Sequence, residues 1–320
     1  MSEDNISIVH EDKRILASKL VQVEYEKFSM PFSKGILAQS LTSIGLKGYE
    51  SYFVGQIVEK TLLDRNIPKI TKAELVTLTY NVLLNHFPEE VAANYLLVRQ
   101  FREQKTPLVI MIGGATAVGK STVASNLAFR FGIRHVFGTD IVREAMRSVI
   151  TPDLIPELHA SSFTAWKHLP LWPTLTNERV SLGFEEQARH VIAGIEGIVE
   201  RALQEGISLI VEGVHVCPHL ISKRLLEKPN VIAVFLKLSE EDAHLSRIFA
   251  RSQNVVVIRP AAKYIAHFAD IRLIQDYLVN QAEKCSLPVI ENINQAETLM
   301  AIISVILKRI KTLVQIENDS

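Results

Sequence analysis

The sequence predicts an α/β protein: a parallel sheet of five strands flanked by helices, preceded by a small, mainly helical module. Three observations predict it. Short β-rich runs alternate with helical patterns over residues 106–316, the mark of strands joined by crossover helices. Residues 1–105 carry helical periodicity but no convincing parallel-sheet signal. The chain has 320 residues, near the size at which one hydrophobic core stops growing, so a division near residue 100 gives two domains, 1–100 and 101–320.

In the first domain, 6–10 and 20–25 are candidate strands. Over 30–46, Ile36, Leu37, Leu41 and Ile44 recur at helical spacing and Gly45 fits a stop. A second helix over 49–63 is expected to turn Tyr52, Phe53, Ile57 and Val58 inward. Thr71 followed by Glu74 reads as a capping box opening a third helix, and 91–102 as a fourth. In the second domain, the runs 108–112, 135–137, 208–211, 231–237 and 288–290 are the expected strands. Helices are expected over 120–131, 140–149, 185–205, 240–250, 264–284 and 295–311. Ligands of such sheets sit beyond the C-terminal strand ends, and the chemistry-bearing residues fall there.

Composition narrows the function. Hydrophobic residues make up 48% and charged residues 22%, an ordinary globular balance. Lys plus Arg and Asp plus Glu number 35 each, so the basic footprint of a nucleic-acid binder is missing. Cys217 and Cys285 form no CxxC or metal-ligand cluster, which suits a reducing compartment. The acidic, polar start is not a signal peptide, and no apolar run approaches the length of a membrane span. The expectation is a cytoplasmic protein. The apolar helix near 295–313 can pack on the sheet or on a second subunit.

The chemistry begins at Gly114-Ala115-Thr116-Ala117-Val118-Gly119-Lys120-Ser121-Thr122, which fits GxxxxGK[ST] between an apolar strand and an amphipathic helix. The glycines let the backbone bend around phosphate oxygens, and the amides and helix N-terminus face the anion. Lys120 reaches the β- and γ-phosphates and Ser121 can ligate Mg²⁺. The expected ligands are ATP and Mg²⁺.

Further residues point to a kinase. Asp140 and Arg143 follow the second strand. Asp140 can take or orient a substrate hydroxyl proton, and Arg143, with Arg147 four residues on, can hold an anion. The bland reading is a capping Asp with solvated arginines. Glu212, at the end of the third strand, suits a metal or substrate contact, Gly213 leaves room for a ligand, and His215 is either a site residue or structural. Arg247 and Arg251, four residues apart in the run 240–251, suit a lid, about 244–263, that stabilises charge on the transferred phosphoryl group. The bland reading pairs them with Glu240, Glu241 or Asp242. Residues 148–183, with His159, Ser161, Ser162, Trp166 and Trp172, have the composition of a substrate cover, or of an irregular packed excursion.

Together PFSKGILAQSL (31–41), IGGATAVGKSTVA (112–124), GTDIVREAMR (138–147), ELHASSFTAW (157–166), VEGVHVCP (211–218), HLSRIFAR (244–251) and IRLIQDYLVNQA (271–282) resemble archaeal 2-phosphoglycerate kinases over roughly residues 6–310. The resemblance implies transfer of the ATP γ-phosphoryl to the 3-hydroxyl of 2-phospho-D-glycerate, giving 2,3-diphosphoglycerate and ADP. It also implies an ATP-cone-like regulatory module over 1–95. It puts Lys120 and Ser121 on nucleotide and metal, Asp140 and Arg143 by the acceptor, Glu212 in the site, and Arg247 and Arg251 in the lid. The family loop commonly reads ASGVGKS. Ala117 stands where that loop has glycine, so this position is expected to keep negative φ. Two other functions compete: a kinase of the same build for another small hydroxylated metabolite, and an ATP-switched interaction module.

Overall fold

The computed structural model of the chain describes residues 21–169, 178–252 and 261–318. The expected strand at 6–10, the cover residues 170–177 and the lid residues 253–260 lie outside them, as does the side chain of Arg251. The chain divides into two compact units, Met1–Glu103 and Gln104–Ser320.

In the first unit, strands β1 (Gln22–Glu24) and β2 (Ser29–Pro31) precede helices α1 (Lys34–Thr42) and α2 (Gly48–Asp64). Strand β3 (Lys69–Thr71) and helices α3 (Lys72–His86) and α4 (Glu89–Gln104) follow. β1 pairs antiparallel with β2 and parallel with β3. Sequence periodicity missed β2 and β3, because three residues are too few to show alternation. The capping box forms as expected: Thr71 N donates to Glu74 Oε2 at 2.9 Å and Glu74 N to Thr71 Oγ1 at 3.2 Å.

The inward face of α2 differs from the expectation. Tyr52 and Phe53 are exposed, and the buried stripe is Ser51, Val54, Gly55, Val58 and Leu62. α1 explains the phase. A Cβ at Gly55 would meet the Lys34 carbonyl oxygen at 3.0 Å, so small residues face α1 and the aromatic rings turn out.

The second unit carries β4 (Val109–Gly113), α5 (Lys120–Phe131), β5 (His135–Gly138), α6 (Thr139–Arg147) and α7 (Glu178–Gln204). It continues with β6 (Leu209–Gly213), α8 (Lys223–Leu226), β7 (Val231–Lys237), α9 (Glu241–Ser252), α10 (Ala261–Ala266), α11 (Phe268–Lys284), β8 (Val289–Glu291) and α12 (Gln295–Asn318). The sheet is parallel in the order β5-β6-β4-β7-β8, the five-stranded parallel sheet the sequence predicts.

Both sheet faces are covered, so the strands are almost continuously apolar. Val109, Met111, Leu209, Val211, Val231, Ala233 and Phe235 form one core with Val191, Ile192, Ile195 and Val199 of α7. Strand alternation sends Ile110, Ile112, Ile210 and Val234 to the opposite face, where α5 and α12 pack together. The helix expected over 264–284 is broken: α10 ends at Ala266, and His267 caps α11. Among the described residues no helix is long and apolar enough to cross a membrane.

Candidate active site

The phosphate-binding motif adopts the strand–loop–helix arrangement its sequence requires. β4 delivers the chain to Gly114, whose φ of +142° and whose approach to the Leu236 carbonyl, 2.5 Å from a hypothetical Cβ, leave no room for a side chain. Gly119, φ +94°, precedes α5 with no side-chain cap, leaving first-turn amides for an anion. Ala117 departs from the expectation: its φ is +66°, in the left-handed region that costs an L-residue about 1–2 kcal/mol.

Three of the loop's carbonyls are held by side chains. Lys120, buried to 8% exposure, donates from Nζ to Ala115 O at 2.6 Å. His244 Nε2 lies 2.7 Å from Thr116 O. Val118 O accepts from Arg247 Nη1 at 3.0 Å and from Asn292 Nδ2 at 2.7 Å. Arg247 Nη2 also donates to Asn292 O and Ile293 O. Among the described residues it takes none of the bland reading's partners Glu240, Glu241 and Asp242, and its guanidinium braces the loop.

A cleft of about 800 Å³ runs from this loop to the end of β5. It is lined by Thr116, Ala117, Gly119, Lys120, Ser121 and Thr122, and by Asp140, Arg143, Ser161, Ser162, Glu212 and Arg247. Ser121 Oγ donates to Glu212 Oε1 at 2.6 Å. Gly138 caps α6, so Asp140 lies within the first turn and is not the cap. Arg143 Nη2 stands 3.7 Å from Asp140 Oδ1, and Nη1 donates to Ala160 O. Burial lowers the pKa of the Arg143 guanidinium, opposed by Asp140 and reinforced by Arg147. Arg147 pairs with Glu144 at 2.8 Å and does not line the cleft.

His215 and His159 are not in the cleft lining. His215 is fully buried; its Nδ1 accepts from Thr139 Oγ1 at 2.9 Å and its Nε2 donates to Gln187 Oε1 at 3.1 Å. The Gln187 amide fixes this tautomer, because its Nε2 donates to Glu157 O at 2.5 Å and Ala160 O at 3.0 Å. Burial pushes the His215 pKa down to about 3; Asp140 opposes this, and Arg143 and Lys120 add to it. His159 Nε2 is spent on Ile150 O at 2.9 Å. Gly213 makes room for Thr139 as well as for the cleft: a Cβ there would lie 1.8 Å from Thr139 Oγ1.

Of the tryptophans in the expected cover, Trp172 lies outside the described residues and Trp166 does not line the cleft. Trp166 packs against Gly183 of α7 and under Arg179, 4.1 Å from its ring centroid. The rings at the cleft are Phe163 and Tyr264, 5.6 Å apart edge to face. Lys263 Nζ donates to Ser161 Oγ at 2.9 Å. Sequence reasoning missed Thr139, Phe163, Gln187, His244, Tyr264 and Asn292. Asn292 had a usable signal, since it directly follows the last strand. Gln187 and Tyr264 sit in ordinary helical patterns and had none.

Ser121 Oγ and the Glu212 carboxylate are hard oxygen donors side by side, a set that fits a magnesium ion completed by substrate phosphates. Among the described residues no cluster of three or more His, Cys, Asp or Glu forms a self-sufficient metal site.

No family model matches the chain. The 2-phosphoglycerate kinase of Methanopyrus kandleri is 41% identical over 286 residues, 89% of this chain and 86% of its own length. That of Methanocaldococcus jannaschii is 42% identical over 298 residues, covering 93% and 94%. That of Pyrococcus horikoshii is 41% identical over 284 residues, covering 89% and 92%. Among solved structures, shikimate kinase from Acinetobacter baumannii in complex with shikimate overlaps 65% of this chain at 14% identity and a TM-score of 0.36, too slight a likeness to bear on the site. The likeness to the archaeal enzymes spans most of the chain, and the chain belongs to the 2-phosphoglycerate kinase family.

Proposed function

We propose that this chain is an ATP-dependent kinase that phosphorylates the 3-hydroxyl of 2-phospho-D-glycerate, giving 2,3-diphosphoglycerate and ADP. One observation carries the reading. A single cleft joins the phosphate-binding loop to Asp140, Arg143, Ser161 and Ser162, so a triphosphate and a small anionic acceptor fit end to end. The names of the relatives supply the acceptor.

The residues divide the work. Gly114–Thr122 hold the β- and γ-phosphates through amides, the α5 N-terminus and Lys120. Arg143, with Ser161 and Ser162, holds the acceptor's anionic groups. Asp140 takes the proton of the attacking hydroxyl, whose oxygen bonds to the γ-phosphorus as the bond to ADP breaks. Ser121 and Glu212 would hold the magnesium ion, which supplies positive charge between the phosphates. Arg247, in the expected lid segment, lines the cleft and braces the loop through Val118 O. Arg251 is assigned, on sequence alone, to the expected lid segment, 244–263. His215 and His159 support the acceptor wall and do not touch substrate.

Residues 1–100 are assigned as an ATP-cone-like module. The assignment rests on the PFSKGILAQSL block; its Lys34 is paired with Glu59 at 2.9 Å and lies 5.6 Å from the Tyr52 ring centroid. The neutral net charge supports a small-molecule acceptor over a nucleic acid. We assign the protein to the cytoplasm.

The test is a panel of phosphorylated and unphosphorylated acids, sugars and polyols, with ATP, magnesium and product identification. The reading predicts ADP release stimulated by 2-phosphoglycerate and a bisphosphorylated product. Folded protein giving no stimulation over background hydrolysis refutes it, and turnover of another panel member alone replaces the acceptor.

A further inference from the structure

We infer that His244, on the lid helix α9, is a positioning residue for the nucleotide: it holds the peptide between Thr116 and Ala117 in the orientation that aims the Ala117 amide at the phosphates. The inference rests on the proposed nucleotide-binding role of the loop and goes beyond it to a residue outside the motif.

His244 is fully buried, and its Nε2 lies 2.7 Å from Thr116 O. Its other ring nitrogen has no hydrogen-bond partner among the described residues. The ring meets Phe268 edge-on at 5.4 Å. A buried imidazole that satisfies one nitrogen and leaves the other unpaired is a costly way to fill space. The backbone contact is what it achieves.

The effect follows from peptide geometry. In a planar trans peptide the N–H points opposite to the C=O. A donor that fixes Thr116 O outward therefore turns the Ala117 N–H the other way, toward the cleft that Thr116, Ala117 and Gly119 line. The neighbouring carbonyls have donors of their own, Lys120 at Ala115 O and Arg247 with Asn292 at Val118 O. The 116–117 peptide depends on His244 most. It leads into Ala117 at φ +66°, a conformation disfavoured roughly tenfold for an L-residue. Without the clamp, Ala117 relaxes to negative φ and its amide leaves the phosphate cradle. His244 and Arg247 stand three residues apart on α9, so one helical face delivers both contacts.

The experiment uses the full chain, a non-hydrolysable ATP analogue, and calorimetric Kd, with KM for 2-phosphoglycerate measured alongside. His244→Leu fills the space without a donor, and His244→Gln keeps an N–H donor. The expected result is analogue binding weakened about three- to tenfold in His244→Leu. His244→Gln stays within about twofold of wild type, and the acceptor KM is unchanged in both. In an Ala117→Gly background the loss from His244→Leu shrinks, because glycine adopts left-handed φ freely.

Wild-type affinity in His244→Leu overturns the inference, as does equal weakening by Leu and Gln or an undiminished loss in the Ala117→Gly background. If His244→Leu does not fold, His244→Met, flexible and without a donor, takes its place with the same outcomes. The binding assay contains no acceptor, so a different acceptor leaves it untouched. A wild-type chain that does not bind the analogue overturns the proposed function and this inference together.

Discussion

Replacing His215 by glutamine is expected to remove an acid sensitivity of stability that the wild-type chain carries. The neutral imidazole sits between Thr139 and Gln187 with no exposed surface, and burial pushes its pKa from 6.5 down to about 3. The folded pKa lies below the unfolded one, so on acidification the unfolded chain takes up the proton first. The contribution of His215 is therefore complete above about pH 6.5 and falls as pH drops through the window down to about pH 3. One unit below 6.5 the unfolded imidazole is about nine-tenths protonated, which costs about 1.4 kcal/mol. For a unit of this size that is a fall in Tm of about 3–5 °C. The assay is thermal unfolding of wild type and His215→Gln at about pH 7.5 and about pH 5.5. Every other titrating group is common to both proteins, and the difference between the two drops reports His215 together with its interaction with Asp140. Glutamine can still donate to Gln187 Oε1, so the neutral network survives. Equal drops in the two proteins would refute the reasoning. A larger drop in His215→Gln would refute its sign.

Two further outcomes are expected. Gly213→Ala drives a methyl to 1.8 Å from Thr139 Oγ1, and overpacking of this kind costs about 1–3 kcal/mol. Urea unfolding reads that cost, and unchanged stability would contradict the packing described at the end of β6. Asp140→Asn should keep nucleotide affinity while kcat falls by about 10²–10⁴; near-wild-type turnover, by coupled ADP release, would remove Asp140 from the chemistry.

What the sequence made legible was local in kind. The extent of β7, the Thr71–Glu74 capping box and the phosphate-binding motif all depend on residues within a few positions of one another. What it hid depends on distant contacts. The outward turn of Tyr52 and Phe53 follows from how closely α1 approaches Gly55, which hydrophobic periodicity does not encode. Gln187 meets residues 157–160 only because α7 brings it beneath them. Ala117 was misjudged for the same reason. Local sterics favour negative φ there, but α9 pins the preceding carbonyl through His244 and the strained angle persists.

The strand order explains why these pieces form one site. β6 lies between β4 and β5, so Glu212 is paired with Ile112 on one side and Gly138 on the other. Its carboxylate therefore sits where the loop leaving β4 and the helix following β5 meet, within 2.6 Å of Ser121 Oγ. In sequence Glu212 is 91 residues from Ser121, and no spacing rule links them. The parallel register does. It places the phosphate loop, the metal-suited carboxylate and Asp140 on three adjacent strand ends. Glu212→Gln should then disturb the nucleotide side, through the lost carboxylate beside Ser121, more than the acceptor side, where Arg143 is anchored separately on Ala160 O.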